Sequence, residues 1–242
     1  MKLRNAIIKG GSSTYVSAVI VAAGSGSRMG FDKILHKISS VPAVIRAVLP
    51  FEKCENVDEI VIVASEQNLD AVSSLCSEYG IKKVSKIICG GETRLDSSLS
   101  GAMQCSDRAD FILIHDGARP LVSTQIISDV IRELKYSPAV VPAVACSDTV
   151  RCADKNLYVS SELDRESTYL VQTPQGFDAS LIKGALCFAK SNSKLITDDS
   201  SAAAIMGAHI KIVKGERENI KLTYPVDIFL AEAIIKSRGD TL

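Results

Sequence analysis

The sequence predicts a doubly wound α/β domain, a mostly parallel sheet with helices on both faces and a protruding β-hairpin arm. Three observations carry this. Short runs of small and β-branched apolar residues recur at 16–23, 59–64, 84–89, 110–115 and 139–146, and strands that read apolar throughout are strands covered on both faces. Segments of helical period separate them. After 146 the rhythm breaks into two short extended runs with no helix between them.

Each element has a local reason. The segment 42–53 opens on a proline, whose fixed φ suits a first helical turn. Over 67–79, Leu69, Val72, Leu75, Cys76 and Tyr79 share one helical face before Gly80 stops the helix. The segments 93–105 and 124–134 read the same way. The runs 148–152 and 157–163 flank the turn Ala153-Asp154-Lys155-Asn156 and read as a hairpin. Their residues are half polar, so the hairpin is expected to stand out from the body, and an isolated two-stranded ribbon needs a partner surface. A strand at 169–172, helices at 178–190 and 198–206, strands at 209–213 and 219–222, and a last helix opened by Pro225 complete the expectation. Residues 1–15 read as a disordered lead-in and 16–242 as one domain, with the arm at 147–168. Ligands of such a sheet belong at the carboxyl ends of its strands.

Composition excludes several classes. The 242 residues carry 28 Lys+Arg against 28 Asp+Glu, so no global charge attracts a polyanion, and a nucleic-acid coat or membrane-surface protein is not expected. The apolar runs fall short of the roughly 18 residues of a membrane span. Near the start only Ala6-Ile7-Ile8 is apolar, too short for a signal-peptide core. The 7 cysteines form no Cys-x-x-Cys pair and read as reduced thiols, which points to the cytoplasm.

The strongest local signal follows the first strand: Ala22-Ala23-Gly24-Ser25-Gly26-Ser27-Arg28-Met29-Gly30. Glycines there let backbone N–H groups approach phosphate oxygens. No Gly-Lys-Ser/Thr follows, so this is not a P-loop. A dinucleotide fingerprint wants an acidic residue about 20 positions on, at the end of the second strand; here that strand ends near Ala64, too far along. Arg28 and Lys33 place two cations in the loop, which suits a triphosphate and a transferring phosphoryl group.

Further motifs follow in order: Gly90-Gly91-x-x-Arg94-x-Asp96-Ser97, His115-Asp116-x-Ala118-Arg119-Pro120, Asp148-Thr149, Asp164-Arg165, Gln172-Thr173-Pro174-Gln175, Thr197-Asp198-Asp199 and Asn219-Ile220-Lys221-Leu222-Thr223-x-Pro225. With the glycine loop, the set resembles the 2-C-methyl-D-erythritol 4-phosphate cytidylyltransferase family over nearly the whole chain. The family usually has Pro and Gln around the loop lysine, where this sequence has Asp32 and Ile34.

The resemblance implies a Rossmann-like nucleotidyltransferase that joins CMP from CTP to the phosphate of methylerythritol phosphate and releases pyrophosphate, with Mg²⁺ on the triphosphate. It implies Arg28, Lys33, Arg165 and Lys221 as the catalytic set and Ala22, Ala23, Gly24, Gly26, Gly90, Gly91 and Ser97 around the nucleotide. Asp116, Arg119, Thr149 and Thr173 are implied at the second substrate, with Asp116 also a possible metal contact. Thr149 and Arg165 lie on the two limbs of the hairpin, and the arm is implied to serve the neighbouring subunit of a homodimer with shared sites. His115 reads as a packed strand residue, and Asp198-Asp199 as a helix cap and an acidic first turn. The nearest rival is the same chemistry on ribitol 5-phosphate. A nicotinamide-dependent oxidoreductase is the rival from another class.

Overall fold

The computed structural model describes residues 14–24 and 29–239. In chain order they form β1 (Val16–Ala22), β2 (Lys37–Ile38), β3 (Val41–Pro42), α1 (Ala43–Lys53), β4 (Glu59–Ala64), a 3₁₀ turn (Glu66–Asn68), α2 (Leu69–Glu78), β5 (Val84–Cys89), α3 (Arg94–Gln104), β6 (Phe111–Asp116), α4 (Thr124–Leu134) and β7 (Ala139–Ala145). Then come β8 (Arg151–Ala153), β9 (Val159–Glu162), β10 (Tyr169–Val171), β11 (Gln175–Asp178), α5 (Ala179–Ser191), α6 (Asp199–Ile205), β12 (Ile210–Lys214) and α7 (Val226–Arg238).

Among the described residues the main sheet has eight strands. Its order is β10-β7-β11-β6-β1-β4-β5, with β12 also paired to β7. β1, β4, β5 and β6 run parallel, and β12 runs parallel to β7. The chain winds outward through β4 and β5, then crosses back to lay β6 on the other side of β1. The carboxyl ends of β1 and β6 therefore border the crevice where strand order reverses, the usual ligand position in such sheets.

Every residue of β4, and all of β1 except Val21, is buried, as continuous apolar runs covered on both faces should be. One layer packs α1, α2 and α4 on the sheet, and the other packs α3, α5 and α6. Local signals set the helix ends. Thr93 and Asp96 form a capping box at α3, Ser123 accepts from the Ile126 N–H at α4, and Gly80 takes φ +64° just past α2. A third cluster, with Met29, Ile38, Leu121, Leu222 and Ile228, fastens α7 beside the crevice.

Several expectations are corrected. Pro42 is the N-cap of α1 and pairs with Lys37 in the β2–β3 hairpin, rather than occupying the first turn. Residues 219–222 form no strand; side-chain bonds hold them as a loop. β11 was not expected. Tyr15 does not belong to a disordered lead-in: its N–H donates to Asp110 Oδ2 at 2.9 Å and Arg108 stacks on its ring. The rest of the lead-in, apart from Thr14, lies outside the described residues. The hairpin is a separate two-stranded sheet, β8 with β9, exposed along both strands. Thr149 and Arg165 flank its strands instead of lying in them. No helix among the described residues is long and apolar enough to cross a membrane.

Candidate active site

At the crevice lies a cleft of ≈ 310 Å³ lined by backbone and side chains from the ends of β1, β6 and α3, with Gly24, Lys33, Gly91, Arg94, Asp116 and Lys221 among its walls. A second hollow of ≈ 190 Å³ adjoins it, lined by Arg119, Gln172, Thr173, Gln175, Thr197 and Asp198. Arg94, Asp116 and Lys221 border both hollows.

Asp116, at the end of β6, is the hub of this shared wall. Its Oδ1 accepts from Arg94 Nε and Nη2, both at 3.1 Å. Its Oδ2 accepts from Lys221 Nζ at 2.7 Å, with Arg119 Nε 3.9 Å away. Burial alone would raise the Asp116 carboxyl, but Arg94, Lys221 and Arg119 outweigh it and hold the group well below the usual carboxylate range. Asp116 is thus a fixed anion, and its cations are held where a phosphate would meet them.

The loop 219–222 exists because side chains tie it down. Asn219 Nδ2 donates to Thr173 O, the Leu222 N–H donates to Ala118 O, and Arg119 Nη1 donates to Asn219 O. Gln172 adds a two-point latch, donating to Glu216 O and accepting from the Glu216 N–H. Lys33 Nζ reaches across to donate to Leu222 O at 3.0 Å.

The nucleotide-side residues divide by position. Ala23, Gly24, Gly91 and Ser97 line the cleft, whereas Ala22 and Gly90 do not. Ala22 is 1% exposed in the core, and the close approach of Gly117 depends on its small side chain. A Cβ on Gly90 would stand 2.4 Å from Ala23 Cβ and 2.7 Å from Ser97 Oγ, so only glycine lets these segments close together. The Ser97 hydroxyl, expected around the nucleotide, is already engaged: it donates to Thr93 O and accepts from the Gly91 N–H. Gly26 and Arg28 lie outside the described residues.

On the acceptor side, Thr173 borders the smaller hollow, with its hydroxyl turned inward. It accepts from the Asp116 N–H at 3.1 Å and meets His115 Nδ1 at 2.9 Å. His115 Nε2 lies 3.1 Å from Arg119 O, which can only accept, so Nε2 carries the ring proton and Nδ1 accepts from Thr173. His115 is fully buried with both ring nitrogens engaged, and burial pushes its pKa down to about 4, so it is a neutral strut beneath Asp116 with no nitrogen open to a substrate. Thr149 and Arg165 are exposed and line neither hollow of their own chain.

Asp198 caps α6, as expected, but Asp199 does more than favour a helix dipole. It is 0% exposed and accepts from Arg94 Nη2 at 2.7 Å. Arg94 stood in the quoted motif without a role, because its two carboxylate partners are distant in sequence. Among the described residues no three His, Cys, Asp or Glu side chains are grouped to hold a metal ion. Asp116 and Glu92 are the carboxylates lining the cleft, so a divalent cation there fits as the companion of a phosphate chain, not as the content of a protein cage.

Comparison with known proteins agrees with this fold. The family model for IspD, 2-C-methyl-D-erythritol 4-phosphate cytidylyltransferase, matches residues 16–237. Curated proteins of that name are similar along almost their full lengths. The one from Alkaliphilus oremlandii (strain OhILAs) is 36% identical over 227 residues, 93% of this chain and 96% of that protein. The one from Geobacillus kaustophilus (strain HTA426) is 37% identical over 91% of this chain and 97% of that protein. Among solved structures, 4-diphosphocytidyl-2C-methyl-D-erythritol synthase from Anaerococcus prevotii DSM 20548 superposes with a TM-score of 0.84 at 29% identity, covering 93% of this chain and 97% of that one. The bifunctional IspDF of Campylobacter jejuni gives 0.73 at 28% identity, with 88% of this chain matched to 53% of the longer one.

Proposed function

The chain belongs to the 2-C-methyl-D-erythritol 4-phosphate cytidylyltransferase family, enzymes of non-mevalonate isoprenoid biosynthesis, and we propose how its residues divide the transfer of CMP from CTP. CTP occupies the larger cleft and methylerythritol phosphate the smaller hollow. The observation that carries this reading is the shared wall of Arg94, Asp116 and Lys221, which puts two cations where two phosphate groups must meet.

In this reading an oxygen of the acceptor phosphate attacks the α-phosphorus of CTP, the bond to the β-phosphate bridging oxygen breaks, and pyrophosphate leaves. The attacking monoester is already anionic, so no base is needed, in keeping with the neutral, buried His115. Lys33, with Arg28 from the loop, stabilises the charge that grows on the α-phosphoryl group. Lys221 holds the acceptor phosphate, supported by Arg119. A divalent cation would be held mainly by the CTP phosphates, with Asp116 the carboxylate available beside them, and would supply neutralising charge for the leaving pyrophosphate. Gly24 and Gly91 offer open backbone to the nucleotide.

Thr149 and Arg165 complete the site of a partner subunit in a homodimer. Their exposure supports this, as does the exposed apolar surface of the arm and the neighbouring strand: Leu157, Tyr158, Val159, Tyr169 and Leu170. Arg165 pairs with no carboxylate among the described residues.

The division into two hollows is tested with Arg119→Met, since Arg119 borders only the smaller one. KM for methylerythritol phosphate should rise at least about tenfold and KM for CTP by less than about threefold, the scale of one lost charged contact. An equal rise in both would overturn the division.

A further inference from the structure

Arg94 stands in the wall common to both hollows, and the carboxylate behind it, Asp199, lines neither. Asp199 is the first residue of α6, yet Asp198 does the capping, accepting from the Ser201 N–H. A wholly buried carboxylate is costly, and a fold that only needed to fill this space would be served as well by an apolar side chain. The Oδ1 of Asp199 has no hydrogen-bond partner among the described residues, and neither has the buried Ser98 Oγ. Burial pushes the Asp199 carboxyl up, while the Arg94 guanidinium pulls against it.

The geometry of the Arg94 fork shows what Asp199 adds. Nε and Nη2 both donate to one oxygen, Asp116 Oδ1. Two donors on one oxygen leave a pivot about which the guanidinium can swing. The second hydrogen of Nη2 goes to Asp199 Oδ2 at 2.7 Å, and this second point, on a different element, removes the pivot. Three of the five N–H groups of the fork are then committed. The two on Nη1 have no partner among the described residues, in a side chain 30% exposed at the junction of the hollows.

We propose that Asp199 is a positioning residue for the CMP transfer: acting through Arg94, it aims the free Nη1 edge of the guanidinium at the phosphate oxygens where donor and acceptor meet. This rests on the functional reading above. Arg94 itself becomes a phosphate-contacting residue of the reaction, one whose planar fork a lysine does not replace.

The test is a double-mutant cycle on the full chain, followed by pyrophosphate release with CTP, Mg²⁺ and methylerythritol phosphate. Asp199→Asn keeps the shape and removes the charge. It should lower kcat about 10- to 100-fold, the range for one charged hydrogen bond, with both KM values within about threefold. Arg94→Met should lose at least as much. In the Arg94→Met background, adding Asp199→Asn should change kcat by less than about twofold, because the residue through which it acts is gone. Effects that multiply would show a merely structural role and overturn the proposal, as would a wild-type kcat in Asp199→Asn. Should Asp199→Asn not fold, Arg94→Lys carries the test. It keeps the charge but cannot reach both carboxylates, and a wild-type kcat there would equally overturn the proposal. An unmodified chain that releases no pyrophosphate would refute the functional reading itself, a different result from an active chain indifferent to Asp199.

Discussion

The Lys221 ammonium lies 2.7 Å from the Asp116 carboxylate across 105 residues of chain. The carbonyl of the next residue, Leu222, accepts from Lys33 at 3.0 Å. One short loop therefore fixes a cation from each side of the site, and displacing either lysine disturbs the seat of the other.

Lys33→Met should cost about 2 to 4 kcal/mol of transition-state stabilisation, the scale for losing one preorganised charge donor, and weaken CTP binding less. Steady-state kinetics beside CTP titration checks this. Equal losses in binding and turnover would remove Lys33 from the chemistry.

His115 makes stability depend on pH in a defined window. Its pKa falls from 6.5 to about 4 on folding. Between those values the unfolded chain takes up a proton that the folded chain refuses, so stability falls as pH falls, by up to about 3 kcal/mol, and is flat above the window. Asp116, held below the usual carboxylate range, adds a further loss only below about pH 3.8. Denaturant melts of His115→Gln should lack the upper slope; an unchanged slope would assign it elsewhere.

β1 and β4 were legible because burial on both faces forces continuous apolar runs, and β5, an edge strand with no buried residue, was legible from its β-branched residues and falls at its expected bounds. β11 was not, since Gln175-Gly176-Phe177-Asp178 has one large apolar residue and is wedged antiparallel between β6 and β7. Ile220 and Leu222 mimic strand alternation, yet Asn219 and Lys33 bond to the segment as a loop. Glycine loops and lone cations mark a phosphate site locally. The Arg94–Asp116–Asp199 arrangement could not be read, because nothing in the chain records which carboxylates a half-buried arginine will meet 22 and 105 residues away.

The proposed sharing of sites between two subunits has a direct consequence. Lys33→Met and Arg165→Met chains, each nearly inactive alone, should regain activity when mixed, because one composite site per heterodimer escapes both changes. No recovery after verified subunit exchange would confine Arg165 to its own chain.

The thiols should divide by burial. Cys89, Cys152 and Cys187 are exposed and Cys54, Cys76, Cys105 and Cys146 buried, all of them free. Burial also pushes the Cys105 thiol up to about 12, which keeps it unreactive. A thiol reagent should label three sites quickly in the native chain and all 7 after denaturation without reduction. Fewer than that after denaturation would reveal a disulfide.

Choice of acceptor separates the two candidate activities. In the proposed site, methylerythritol phosphate and ribitol 5-phosphate present the same phosphate to Lys221 and Arg119, so discrimination comes from the carbon chain, where ribitol brings a further hydroxyl that needs a partner once buried. A missing partner costs about 1 to 3 kcal/mol. Side-by-side pyrophosphate release with CTP and Mg²⁺ measures the difference: kcat/KM at least about tenfold higher for methylerythritol phosphate is the predicted result, and equal or faster turnover of ribitol 5-phosphate would contradict it.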